Sequence, residues 1–222
     1  MGALAQSSGL LDSLRERWED IVFLGREHIL LVAVSGGLAI LVGVPLGVAL
    51  SRPGLRRVAE GMMQLLNVGT TIPTLAVLAL SMSLLGIGKL PAIFALFIAS
   101  LLPIVRNTYA GLRAVPPPLL EAAQGMGMTP GQRLWRVELP NALVVIFAGI
   151  RTALALNVGT APLAFLIGGG GLGELIFTGL SMAEPGLMLA GAIPTALLAV
   201  VADFLVAQLA WLLIPRGINP AR

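Results

Sequence analysis

The chain is 222 residues long, 57% hydrophobic and 11% charged, with a formal net charge of +3 and a mean hydropathy of +0.94. Soluble domains carry about 25% charged residues, and a soluble fold of this size could not hide so much apolar side chain, so lipid must solvate much of it. The basic residues form no face or run, which argues against nucleic acid; with no cysteine and one histidine, His28, no thiolate or histidine metal site is expected.

Met1 to Leu10 has no basic start and too short an apolar stretch for a cleavable signal peptide, so the first long apolar segment is expected to act as its own uncleaved signal. Leu11, Leu14, Trp18, Ile21 and Val22 then recur at helical spacing, with charges filling the gaps. That pattern fits an amphipathic helix lying on the outer surface, with Trp18 at headgroup level, and equally a short extramembrane helix packed on the protein.

A helix needs about 20 apolar residues to cross a bilayer. His28 to Ser51 and Gly61 to Gly88 contain no Asp, Glu or Arg and no Lys, and give the first and second spans. Leu90 to Val105, extending to Tyr109, gives a third. Asn141 to Ile167 gives a fourth, with one internal charge, Arg151. Gly186 to Ile214 gives a fifth, with one charge, Asp203. The expected fold is therefore all-α, a polytopic membrane protein of five transmembrane helices. Residues 1–27 form an extracytoplasmic amphipathic segment, 28–215 the transmembrane domain with a cytoplasmic loop at 114–140, and 216–222 a cytoplasmic tail. Orientation follows from the loop cations. With five spans, Arg52, Arg56, Arg57, Arg106, Arg113, Arg133, Arg136, Arg216 and Arg222 fall on one side. The positive-inside rule makes that side the cytoplasm, with the N-terminus outside and the C-terminus inside.

The loop between spans three and four is the most informative stretch. Pro116, Pro117 and Pro118 stop one helix and can start another. Leu119, Ala122, Ala123 and Met126 follow at the spacing of one apolar helical face. Gly125 and Gly127 end that helix. Thr129, Pro130 and Gln132 then make a capping-box start for a second, running to Pro140. The alanines offer a small-residue face suited to a partner's groove, with Glu121 beside it; an ordinary amphipathic loop on the membrane is the alternative reading.

Glu121-Ala122-Ala123, then Gly127, then Val137-Glu138-Leu139-Pro140 resembles the EAA motif of ABC importer permeases: EAA, three residues, Gly, nine residues, Ile, one residue, Leu-Pro. Every spacing matches, and Val137 for Ile is the one departure. The resemblance spans roughly residues 28 to 215. It implies the type I ABC importer permease fold. It also implies that Glu121, Ala122, Ala123, Gly127, Leu139 and Pro140 belong to a coupling helix that docks on a cytoplasmic ABC ATPase subunit. Two ATPases would bind the ATP-Mg and drive alternating access, so no cofactor is expected in this chain; it has no GxxxxGK[ST] loop and no catalytic residue of its own. The further partners implied are a second permease chain, identical or not, and an extracytoplasmic substrate-binding protein, all in a bacterial plasma (inner) membrane.

Other stretches resemble osmoprotectant permeases for glycine betaine, carnitine, choline and proline: Leu85-Gly86-Ile87-Gly88, Leu102 to Tyr109, Gly125 to Pro130, Ala148 to Thr152, Asn157 to Thr160, and Leu166 to Gly173. A methionine or other amino-acid importer is the alternative within the class. An ATP-independent secondary transporter or channel, or a scaffold, would have no use for the EAA loop. Quaternary ammonium groups are gripped by aromatic cages, yet the chain is 5% aromatic, so specific binding is expected in the binding protein. Asn67, Thr70, Thr71, Thr74, Asn157 and Thr160 are candidate pathway lining; bonding to neighbouring helices is the alternative.

Gly168 to Gly173 cannot be regular helix at low cost and should break span four near the outer surface, before a short helix over Glu174 to Met182. It reads either as a gate or binding-protein contact, or as a tight turn packed on a neighbour. Arg151 lies roughly 15 Å into span four and Asp203 roughly 18 Å into span five by helical rise. Charges at that depth need partners, and consecutive spans are neighbours, so the two are expected to approach each other. The alternative puts Arg151 on backbone carbonyls and Asp203 on the pore.

Overall fold

A computed structural model describes residues 15–215 together with Gly217 and Ile218, leaving the side chain of Arg56 aside. The expected positions Leu11, Leu14, Arg216 and Arg222 lie outside the described residues. The described residues form helices and turns with no strand. In chain order they are α1 (Trp18–Leu50), a 3-10 turn (Pro53–Leu55), α2 (Arg56–Gly69), α3 (Thr74–Leu85), α4 (Lys89–Arg113), α5 (Pro117–Gly125) and α6 (Pro130–Arg133). A π-helical turn (Leu134–Glu138), α7 (Leu139–Thr160), a 3-10 segment (Ala161–Ile167), α8 (Gly173–Ser181) and α9 (Pro185–Leu213) complete the order.

Among the described residues, Trp18–Leu50, Lys89–Arg113, Pro130–Ile167 and Pro185–Leu213 are long and apolar enough to cross a membrane. Arg57–Gly69 and Thr74–Leu85, bent by 102°, make a fifth span if counted as one. Helices α1, α4 and α7 form the centre, with α9 against α7 and α8. Close approach depends on missing side chains: a Cβ on Gly47 of α1 would stand 2.6 Å from the Cβ of Thr108 on α4. Small residues at crossings replace, inside lipid, the hydrophobic drive that water supplies elsewhere.

Three expectations change. The amphipathic segment does not lie apart from the first span, because nothing between Val22 and His28 breaks the chain and α1 runs through both in 33 residues. Its Ile21 and Leu24 are buried with Leu172, Leu175, Leu187 and Ala190, which is the packed reading. The second span is not one helix. Pro73 has no N–H and disfavours helical geometry at the residue before it, so the chain turns between Gly69 and Thr74. The second loop helix does not end at Pro140 but continues through the π turn into α7.

The ends of the bundle are marked by ion pairs. At one end Arg52, just past α1, meets Glu138 before α7 at 2.6 Å. At the other, Lys89 at the start of α4 meets Glu27 of α1 at 2.6 Å. There the amide of Gly88 also donates to the carbonyl of Ile167 at 2.8 Å. The glycine segment breaks the fourth span as expected: Gly168, Gly170 and Gly171 sit at φ of 77°, 77° and 86°. It is tightly packed as well. A Cβ on Gly173 would overlap the carbonyl of Pro162, and one on Gly170 would overlap the Glu27 carboxylate.

Candidate coupling loop and transport groove

The loop from Ala114 to Pro140 is built by local rules. Pro117 occupies the first turn of α5, where its missing donor costs nothing. The helix ends as its sequence implies. Gly127 takes φ of +75°, its amide donates to Gln124 O at 2.9 Å, and that of Met128 donates to Ala123 O at 3.1 Å. The capping box forms: the amide of Gln132 donates to Thr129 Oγ1 at 3.3 Å, and that of Thr129 to Gln132 Oε1 at 2.9 Å.

The alanine face divides. Ala123 is fully buried within this chain, while Glu121 and Ala122 are exposed. Leu119 and Met126 are 42% and 70% exposed. The face free for a partner is therefore Leu119, Ala122 and Met126, which stand at i, i+3 and i+7. Ala122 and Ala123, expected together on the coupling helix, thus differ in exposure, Ala123 being on the buried side of a helix that packs on the π turn.

Leu139 and Pro140 have a structural task. Pro140 cannot donate to Arg136 O, and its ring would crowd that carbonyl in a regular helix. The π turn relieves this: the amide of Leu139 donates to Leu134 O instead. Asn141 Nδ2 donates to Val137 O at 2.7 Å. The turn aims Glu138 inward, 6% exposed at its side chain, where it accepts from Arg52 Nη2 at 2.6 Å and Arg133 Nε at 2.9 Å. A buried carboxylate held by two guanidiniums fixes the loop to the end of α1. Sequence reasoning missed this cluster. The acid was visible among the arginines of that end, but it lies inside the motif at a position where any residue is allowed.

A groove of about 590 Å³ opens beside α3, α4 and α7, and its lining includes Thr70, Thr74, Asn157 and Thr160, four of the six candidate pathway residues. Asn67 and Thr71 are exposed but do not line it. The polar groups are largely engaged. Thr70 Oγ1 donates to Asn67 O at 2.7 Å and Thr160 Oγ1 to Leu156 O at 2.8 Å, so each uses its own helix and turns lone pairs outward. Asn157 is buried and its Nδ2 donates to Ser35 Oγ at 2.9 Å and Ser100 Oγ at 2.8 Å, joining α1, α4 and α7. Ser35, Ser100 and Thr152, which also lines the groove, were not read from the sequence; serine and threonine in apolar helices carry no distinguishing pattern.

Arg151 and Asp203 meet as expected. Arg151 Nε donates to Asp203 Oδ1 at 2.8 Å and Nη2 to Oδ2 at 2.7 Å. Both are nevertheless open on this chain, 45% and 41% exposed at the side chain. His28 is buried with Nε2 3.2 Å from Val158 O. Among the described residues no group of His, Asp or Glu could hold a metal ion.

Long apolar helices, a capped loop at one end and a mostly apolar groove with a few hydroxyl and amide groups are the features of a polytopic membrane protein with a surface loop. The chain belongs to the family described as "Binding-protein-dependent transport system inner membrane component", matched over residues 40–211. It is 56% identical over 197 residues to the osmoprotectant import permease protein OsmY of Salmonella typhimurium, covering 89% of this chain and 84% of that one. It is 44% identical over 210 residues to the choline transport system permease protein OpuBB of Bacillus subtilis, covering 95% and 96%. Among solved structures it resembles an inward-facing form of the MetNI methionine ABC transporter, with a TM-score of 0.75 and 24% identity, covering 90% of this chain and 96% of that one. That likeness concerns the fold.

Proposed function

We propose that this chain is the membrane-spanning subunit of an ATP-driven importer that moves small zwitterionic or quaternary ammonium osmoprotectants, such as glycine betaine, choline, carnitine or proline, into the cytoplasm. The observation that carries the substrate class is the 56% identity to a permease named for osmoprotectant import. The lining agrees with it. A quaternary ammonium has no N–H to donate, and threonine hydroxyls that donate to their own helices present oxygen lone pairs to such a cation.

The loop of α5 and α6 is the docking element for a cytoplasmic ABC ATPase, with Leu119, Ala122 and Met126 entering its groove. Glu138, Arg52 and Arg133 carry that motion to α1 and α7. ATP-Mg belongs to the ATPase. A second permease chain, identical or not, closes the groove, and an extracytoplasmic binding protein delivers substrate at the Glu27–Lys89 end. In this reading the protein sits in a bacterial inner membrane with its N-terminus outside and its C-terminus in the cytoplasm.

Reconstitution with the ATPase and binding protein in proteoliposomes tests this. ATP-dependent uptake of glycine betaine or choline, absent without the ATPase, is expected. Uptake without ATP, or uptake of methionine alone, would overturn it.

A further inference from the structure

Resting on the osmoprotectant reading, we infer that the Arg151–Asp203 ion pair faces the transport path and is a contact for zwitterionic substrate, the guanidinium taking its carboxylate and the aspartate its quaternary ammonium.

The pair sits within apolar helices, where an open charge facing lipid is costly. Yet the two side chains are 45% and 41% exposed on this chain. They border an open surface hollow of about 490 Å³ that shares Thr152 and Leu156 with the larger groove. The two hollows therefore adjoin along α7, and a pair open toward that wall avoids the cost of facing lipid. Along that wall Arg151 and Asp203 are the charged ones among the described lining residues, and none of those residues is aromatic. A cation passing there has no cage and one carboxylate to meet. At rest the carboxylate is closed by two parallel bonds. A zwitterion can replace both halves of that pair at once, so neither charge is left unpaired in a medium of low dielectric. A simple cation can replace only one half.

The experiment uses the full complex in proteoliposomes, with ATP-driven uptake of glycine betaine, which carries a carboxylate, and choline, which does not. Arg151→Met is expected to lower the glycine betaine to choline uptake ratio about tenfold or more, the scale of a lost charged hydrogen bond. Asp203→Asn should lower uptake of both. If Arg151→Met fails to insert, Arg151→Lys decides the same ratio, because an ammonium cannot make the two parallel bonds; a smaller fall in the same direction is expected. The double variant Arg151→Met/Asp203→Leu keeps apolar packing between α7 and α9, and should retain ATPase docking while losing uptake of both substrates. An unchanged ratio in the single variants, or wild-type uptake in the double variant, would show that the pair only ties helices, and would overturn the inference while leaving the osmoprotectant reading intact. Wild-type complex that imports neither substrate would overturn both.

Discussion

Gly125 and Gly127 look alike in the sequence, and either reads as an end of α5. The structure separates them. Gly127 holds φ of +75° with open space where a Cβ would stand, so an L side chain there pays for backbone conformation alone. Gly125 is the last residue of α5, with ordinary helical geometry and equally open space. Gly127→Ala is expected to destabilise the helix end by about 1 kcal/mol. Gly125→Ala should stabilise it by about 0.5 kcal/mol. Hydrogen exchange of the amides from Ala123 to Met128 reads both; shifts of the same sign would contradict the assigned geometry. The same limit of sequence applies to Ala122 and Ala123. Two adjacent alanines differ by about 100° around a helix, and only the packing of α5 on the π turn decides which faces a partner.

At the scale of elements, what was legible depended on local chemistry. The Thr129 capping box and the glycine break after Ile167 follow from hydrogen bonds and φ preferences within a few residues, and both were readable. The break in the second span also had its signal, Thr70-Thr71-Ile72-Pro73, but a charge-free stretch of the right length looks like one span when composition alone is weighed. The π turn was not readable, because whether Pro140 ends a helix or is absorbed by a wider turn depends on what the freed groups meet. Here Asn141 takes Val137 O and Glu138 reaches two arginines from elsewhere in the chain. Pro140→Ala restores the donor and removes the reason for the wider turn, so Glu138 should rotate away from Arg52. The cysteine pair Arg52→Cys/Glu138→Cys, bridged by a bifunctional maleimide whose reach matches the span of the native ion pair, should then cross-link more slowly when combined with Pro140→Ala than when the native proline is kept. An equal rate would mean that the turn is set by something other than the proline.

For the whole molecule, five apolar stretches and their order were legible because a bilayer imposes length and polarity on each. The Arg151–Asp203 contact was legible from depth and adjacency. Its exposure was not, since what covers a helix face is set by neighbours beyond the chain. The two bundle ends carry distinct markers, Arg52–Glu138 and Glu27–Lys89. Cysteines at Thr129 and Ile87, both exposed, should therefore label from opposite sides of the membrane, Thr129→Cys from the cytoplasm. Labelling of both from one side would remove the orientation proposed above. If this loop passes the ATPase's motion to the membrane helices, cysteine cross-linking in the assembled complex reads it at the contact itself. Ala122→Cys and Met126→Cys should each cross-link to the ATPase subunit, at a rate that changes when ATP is added, while Ala123→Cys should not. Cross-linking through Ala123 alone, or through none of the three in a complex that transports, would contradict it.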